Sequence, residues 1–593
     1  WMHHPKLILK LMIEYADGST DEVVSDSTWK TAKSAIVYNE DRRGEIYDAR
    51  LYIDGWNKPD FDDYKWNNAF ICRGAGGVLE KIDFPVIKVT NRFKAVRISP
   101  NVYDTGRNIS GWIRLKVSGE RGTEVKIRYA EAVGADGDIE PERLNTIIGS
   151  DTHTDKYILS GRGVEEWAPR FAYHGFRYAE ITGDAEIIEV VGEVVHSDVK
   201  TIGKFECSDD MLNKIHDASV WSTITNIQGI ITDCTQREQN GWTGDALLSA
   251  EQSLMNFDIV SIYKKWLVDI CDTQRPNGQI SCIAPTSGWG YNWGSGPAWD
   301  SALILIPYYI YKYTGDKSVL VKTWENMALY MEFIESMSNK NEVCFGLGDW
   351  CAPSGAKLSP TVITDTAYFY VDNKVMARCA KLLKKDDGVY QRRAAEIKES
   401  FRDKYIKNDF YLGDNTTAIA CAIYQDLYND DEKALAAKRL NELYSEGGYH
   451  IDCGILGIKY LYTALSEYGY AETAYKLTIN HEYPSYAYWI LNGMTTLCET
   501  WDMSNSCNHH MFSEVDMWMY KYIAGIRIDE GGGSVRIEPC YIPEIDWVTA
   551  SHRGISVHYD KEKIEITSDI PAVYVAQNGK EIKLDTGKNV LLK

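Results

Sequence analysis

Residues 233–245 read Asp-Cys-Thr-Gln-Arg-Glu-Gln-Asn-Gly-Trp-Thr-Gly-Asp. They set three carboxylates (Asp233, Glu238, Asp245), the guanidinium of Arg237 and the indole of Trp242 within thirteen residues. Carboxylates this close repel one another, and the repulsion favours protonation of one of them. A carboxylic acid kept protonated near neutral pH is what a general acid requires. The flat Trp face and the acceptor oxygens suit a ligand with one apolar face and many hydroxyls, such as a sugar. The plain alternative is a loop ahead of a helix, in which Asp and Gly serve only turns and caps.

A partner segment lies late in the chain: Thr495-Thr-Leu-Cys-Glu-Thr-Trp-Asp-Met, with Glu499, Trp501 and Asp502. Glycosidic hydrolysis needs two carboxyl groups facing each other across the scissile bond. Glu238 and Glu499 make such a pair if the fold brings them together; alone, Glu499 reads equally as a surface or capping residue. Asn508-His509-His510 follows. Successive side chains rarely point at one ion, so hydrogen bonding to sugar hydroxyls, or a structural role, fits these histidines better than metal binding. Aromatic residues cluster on Gly-rich stretches: Trp289, Tyr291, Trp293 and Trp299 beside Asp300, and Trp350 after Asp349. Such loops are where binding residues concentrate.

These residues need elements to hold them. The first 200 residues alternate as short strands, for example Leu7–Glu14, Val125–Tyr129 and Ala179–Thr182, punctuated by Gly, Asp and Asn. A break near 73–80 (RGAGGVLE) separates two β-modules. From about residue 203 the apolar period becomes 3.6, over 209–228, 245–272, 300–314, 318–338, 365–385, 413–428, 431–445, 454–466 and 468–480. Alternation returns after Ile528-Asp-Glu-Gly-Gly-Gly, in Ser534–Glu538, Ile555–Tyr559 and Lys563–Thr567. The expected organisation is a β-sandwich over 1–78, a second over 79–202, a barrel of paired helices over 203–524 and a C-terminal β-sandwich over 525–593.

The net charge of −21, with no basic cluster, argues against nucleic acid as a partner. An excess of 39 Tyr and 18 Trp over 14 Phe tilts toward wet, hydroxyl-rich surfaces. The 13 cysteines are scattered, with no CxxC pair or zinc spacing, as expected of free thiols in a cytoplasmic protein. No apolar run is long enough to span a membrane. The start, Trp-Met-His-His-Pro, looks trimmed, which leaves a secreted or periplasmic origin open. No contiguous Asp/Asn loop suited to calcium stands out in a β-domain, and neither a metal nor another cofactor is expected. The oligomeric state is open, a homodimer included.

Taken together, the segment 233–246, the Thr495–Asp502 region and Asn508-His509 resemble bacterial α-L-rhamnosidases, glycoside hydrolase family 78. Arg43–Arg50, Phe171–Tyr178 and Gly348-Asp349-Trp350 agree with it. The resemblance implies an (α/α)6 helical barrel flanked by β-sandwich domains, and removal of terminal non-reducing α-L-rhamnose with inversion. It implies Glu238 as general acid and Glu499 as general base, Asp233, Arg237, Asp245 and His509 contacting the sugar, and Trp242, Trp299 and Trp350 walling the pocket. The implied partner is a rhamnose-containing glycoside or oligosaccharide. Relatives carry Asp-Glu-Arg-Leu between the Arg and Gly-Trp, whereas Glu238-Gln-Asn is one residue shorter here, and Cys498 stands where an aromatic is common. Two other readings stand beside it: an (α/α)6 glycosidase for a different deoxy sugar or a uronic acid, and a carbohydrate-binding relative without catalysis. Retention of both glutamates favours an enzyme.

Overall fold

A computed structural model of the chain describes residues 6–74, 76–140 and 152–592. The opening Trp-Met-His-His-Pro, and Ala75 inside the 73–80 break, lie outside the described residues. After an exposed hairpin, Lys10–Glu14 with Thr20–Val24, the N-terminal third builds one ten-stranded sheet. Its main path runs Ile36–Glu40, Gly44–Asp48, Thr154–Ile158, Glu124–Ala130, His174–Thr182, Val102–Ser118, Glu186–Ser197, Ile87–Lys94. Alternating inward residues such as Ile113, Leu115, Val125, Ile127 and Phe176 form its core. Because Ile36–Asp48 joins at one edge, this sheet draws on chain that precedes the 73–80 break.

The helical region alternates two kinds of helix. Asp210–Thr225, Val260–Thr273, Ser318–Met337, Gly388–Phe401, Asp430–Glu446 and Ala471–Ile479 bury part of their surface. Between them run Ala250–Asn256, Ala302–Thr314, Thr361–Leu382, Thr416–Tyr424, Ile455–Ser466 and Glu514–Trp518, buried nearly all round. A helix apolar on one stripe faces a core from outside, and one buried all round belongs inside. The second set touches in sequence and closes from Glu514–Trp518 back to Ala250–Asn256, an inner ring of six within an outer ring of six. This is the (α/α)6 barrel. Inside the ring, Lys459 Nζ reaches Glu514 Oε2 at 2.7 Å and Glu251 Oε2 at 3.3 Å, and Lys312 Nζ reaches Glu251 Oε1 at 2.7 Å.

The periodicity over 245–272 suggests one helix, but the structure divides it into Thr243–Leu248, Ala250–Asn256 and Val260–Thr273. Ser249 Oγ bonds back to the Asp245 carbonyl at 2.9 Å while its backbone leaves helical geometry (φ −93°, ψ 0°), and Phe257 is extended. A serine hydroxyl competing for the i−4 carbonyl bends a helix in this way. Gly388–Phe401 and Tyr486–Leu491 are helices that the 3.6-residue apolar period does not mark, being polar in the first case and only six residues long in the second.

Downstream, one sheet runs Gly203–Cys207, Val548–His552, Ile555–Tyr559, Lys563–Ser568, Gly587–Leu592. A second holds Ile526–Ile528, Val535–Ile537, Ala572–Val575 and Glu581–Leu584. The first strand precedes the barrel, so the C-terminal β-domain is stitched to the barrel's first helix. All thirteen cysteines are free thiols. Among the described residues, no helix is long and apolar enough to cross a membrane.

Candidate active site

The 233–245 loop closes on itself. Asp233 N donates to the Asn240 carbonyl and Asn240 N to Asp233 Oδ1, both at 2.9 Å. Two of its glycines are sterically required. A Cβ on Gly241 would fall 2.1 Å from the Ala284 carbonyl oxygen, and one on Gly244 would fall 2.4 Å from Trp299 Nε1. The loop ends on helix Thr243–Leu248, with Trp242 at its N-cap. Trp242 Nε1 donates to Glu238 Oε2 at 2.7 Å, and Asn240 Nδ2 lies 3.4 Å from the same oxygen. Arg42, from the N-terminal β region, holds the loop from behind: its Nε donates to the Glu238 carbonyl at 2.7 Å and its Nη2 to Asn240 Oδ1 at 2.8 Å.

Glu499 sits on a facing loop. An antiparallel bridge between Cys234 and His509 joins the two loops. Arg237 Nη2 donates to both oxygens of Glu499, at 2.7 and 2.6 Å, and lies 3.5 Å from Glu238 Oε1. Contacts of 3.5 and 2.6 Å to one nitrogen cap the nearest approach of the two carboxylates at about 6 Å. Ser506 N and Asn505 Nδ2 also donate to Glu499, at 3.2 and 3.4 Å. The large β-sheet braces this second loop: Glu131 Oε2 accepts from Cys507 N at 2.8 Å, and Asn108 Nδ2 donates to Glu131 Oε1 at 2.9 Å. Burial, first of all, pushes the Glu131 carboxyl up to about 7.

The two histidines divide their work. His509 Nε2 meets Asp245 Oδ1 at 2.7 Å, and Nδ1 lies 4.0 Å from Glu499 Oε2. Burial works to lower the His509 pKa, but the Asp245 hydrogen bond and charge, then Glu499 and Asp233, raise it to about 9. His510, bonded to Ser249 Oγ and the Thr232 carbonyl, is pushed down to about 4 by burial and is a structural residue. Burial, then the charges of Glu238 and Asp245, hold the Asp233 carboxyl well above the usual carboxylate range. Asp233 Oδ2, Arg237 Nε and His509 Nδ1 are buried without a protein partner, which leaves acceptors and donors for a hydroxyl-rich ligand. Asp233, Cys234 and His509 also offer ligand atoms within 4.8 Å of one another. A metal bound there would have to displace a proton from a cationic His509 and from a Cys234 thiol that burial holds protonated.

Aromatic rings surround this polar centre. Trp242 meets Trp289 and Trp293 edge-on, at centroid distances of 5.5 and 5.9 Å, and Trp293 meets Trp350 at 6.2 Å. Trp289, Trp293 and Trp350 are 47%, 50% and 42% exposed, so their faces are open to a ligand. Trp299 is buried against Gly244, behind the wall. Tyr291 is occupied elsewhere, donating to the Thr273 carbonyl at 2.5 Å and stacking on Arg275. Asp349 accepts from the backbone of Gly454, Leu456 and Gly457, capping helix Ile455–Ser466. Asp300 pairs with Ser295 Oγ in the interior. Thus Glu238, Glu499, Asp233, Arg237, Asp245, His509 and Trp242 converge, with Trp350 at the rim. Arg42, Asn108 and Glu131, three supporting residues from the β region, carried no sequence signal beyond the Arg43–Arg50 and strand patterns nearby.

The double ring of helices, bearing two carboxylates and an aromatic pocket, has the architecture of a six-hairpin glycosidase domain. Models of the bacterial alpha-L-rhamnosidase 6 hairpin glycosidase domain, concanavalin-like domain and N-terminal domain match residues 200–523, 94–198 and 1–91. The chain belongs to the bacterial α-L-rhamnosidase family. It is 33% identical to an alpha-L-rhamnosidase of Streptomyces avermitilis, over 89% of this chain and 53% of that protein. It is 31% identical to one of Formosa agariphila, over 88% of this chain and 59% of that protein. The chain therefore spans between half and two thirds of the length of these relatives. Among solved structures, the α-L-rhamnosidase of Dictyoglumus thermophilum superposes with a TM-score of 0.92 at 34% identity, over 99% of this chain and 72% of that one. The Streptomyces avermitilis α-L-rhamnosidase complexed with L-rhamnose gives 0.92 at 29% identity, over 98% of this chain and 61% of that one.

Proposed function

We propose that this chain hydrolyses terminal non-reducing α-L-rhamnosides with inversion at the anomeric carbon. The observation that carries the reading is the placement of Arg237 Nη2, 2.6 Å from Glu499 and 3.5 Å from Glu238. It gives the two carboxyl groups unequal environments. Glu499, held through both oxygens by Arg237, takes the base's role, and Glu238, oriented by the Trp242 indole, takes the acid's. Glu238 gives its proton to the glycosidic oxygen as the C–O bond breaks. Glu499 takes a proton from a water that attacks the opposite face of the anomeric carbon, so the new C–O bond forms with inverted configuration. Asp233 and the Asp245–His509 pair offer acceptors and a donor to ring hydroxyls. The open Trp faces suit the methyl group of a 6-deoxy sugar. The Streptomyces avermitilis relative, solved with L-rhamnose, supports the sugar's identity.

The test is release of rhamnose from an aryl α-L-rhamnoside within a panel of aryl glycosides. Glu238→Gln and Glu499→Gln are each expected to lose most activity, the Glu238→Gln loss deepening as the leaving group becomes more basic. Full activity in either variant would refute its assigned role.

A further inference from the structure

Two adjoining cavities outside the catalytic pocket share part of their lining. One, of about 620 Å³, is lined by residues of the large sheet and its loops, among them Tyr52, Trp112, Glu166, Arg170 and Phe171. The other, of about 1070 Å³, lies against the outer side of the catalytic loop and is lined by Trp112, Arg170 and Phe171 again, with Gln228, Asn240 and Trp289. The three shared residues set the two side by side along one trench. Each part alone matches or exceeds the usual small-molecule site of about 300–1,000 Å³, so the whole is larger than one sugar requires.

The trench begins on a defined side of the reaction. Asn240, in its wall, stands 3.4 Å from Glu238 Oε2, and Trp289 meets the edge of Trp242, whose indole holds the same oxygen. A general acid sits beside the oxygen it protonates, so this is the leaving-group side. The walls fit sugar rings. Tyr52, Phe171 and Trp289 are 43%, 66% and 47% exposed along its length, which leaves aromatic surface for sugar rings to cover. Trp167, at the sheet end, is buried with Nε1 lacking a protein partner. Charges of both signs, including Arg170 and Glu166, flank the rings, which suits an uncharged polyhydroxylated ligand better than an acidic polymer.

We propose that this trench binds the leaving-group portion of an extended oligosaccharide, laying successive sugar rings from Trp289 past Phe171 to Tyr52 and Trp112. The proposal rests on the hydrolase reading above and specifies its substrate as a rhamnose-capped glycan. Two arms test it. In kinetics, Phe171→Ala/Tyr52→Ala is expected to lower kcat/KM about tenfold on a rhamnose-capped oligosaccharide of three or more sugars. On 4-nitrophenyl α-L-rhamnoside the same variant should match the wild type. In calorimetry, the same oligosaccharide should bind Glu238→Gln protein more tightly than free rhamnose does, with the advantage abolished by adding the double substitution. Equal losses on both kinetic substrates, or oligosaccharide binding no tighter than rhamnose, would overturn the trench as a glycan site. The calorimetric arm needs no turnover, so failure of the hydrolase reading would show separately, as an inert wild type on the aryl rhamnoside.

Discussion

Arg237→Met removes the cation that joins the two carboxylates while keeping the length of the side chain. Arg237 Nη2 makes contacts of 2.7 and 2.6 Å to Glu499, and both side chains are about nine-tenths buried. At an effective dielectric of about 20, charges 4 Å apart attract by about 4 kcal/mol, and stripping one partner from a buried pair costs about 3–5 kcal/mol because the other is left uncompensated. Arg237→Met should therefore destabilise the barrel by that amount and lower kcat/KM by about 10²–10³-fold, the usual effect of losing a charged group in an active site. Arg237→Lys keeps the charge but not the planar fork and should fall between. The assay is a double-mutant cycle in urea, followed by the fluorescence of the barrel tryptophans, with Glu499→Gln as the second substitution. Once Glu499 is neutral, Arg237→Met leaves no orphaned anion, so the double variant should be about 2–3 kcal/mol more stable than the sum of the single effects. Costs that add to within about 0.5 kcal/mol would refute the coupling and with it the division of roles between the glutamates.

Three further outcomes follow from named contacts. Trp242→Phe keeps an aromatic ring but removes the 2.7 Å donor that orients Glu238; a hydrogen bond to a neutral group is worth about 0.5–1.5 kcal/mol, so kcat/KM should drop by about 2–10-fold with little change in unfolding midpoint. Protonated His509 is favoured in the folded state, its pKa raised from 6.5 to about 9, so its stabilisation is complete below about pH 6.5 and is lost as pH rises through about 9. That amounts to on the order of 3 kcal/mol between pH 6 and 10, and His509→Gln should flatten this limb of a urea-stability profile. Lys459→Met strands the buried Glu514, while Glu251 keeps Lys312, and should cost about 3–5 kcal/mol, part of which Glu514→Gln restores.

How far the sequence speaks depends on where each contact comes from. The carboxylates of 233–245 are legible because one short loop carries them, with glycines that the close approaches to Ala284 and Trp299 demand. The barrel helices are legible where one face is apolar, as in Val260–Thr273, and their boundaries blur where a helix is buried all round and a serine bends it, as at Ser249. What stays hidden is assembled across long separations. Arg237 reads as a sugar contact until Glu499, 262 positions on, is seen in its grip. Arg42, Asn108 and Glu131 belong to strands and turns of the β region, where their types are ordinary, and only the docking of sheet on barrel brings them under the catalytic loops. Trp299 and Trp350 sit in similar Gly-rich surroundings, yet packing against Gly244 buries one and leaves the other open.

The most direct measurement is proton NMR of the rhamnose first released from an aryl α-L-rhamnoside, taken before mutarotation. A water activated by Glu499 and a leaving group protonated by Glu238 give β-L-rhamnose as the first anomer, with the α form growing in later. α-L-Rhamnose appearing first would contradict the arrangement and require a covalent intermediate that these roles do not provide.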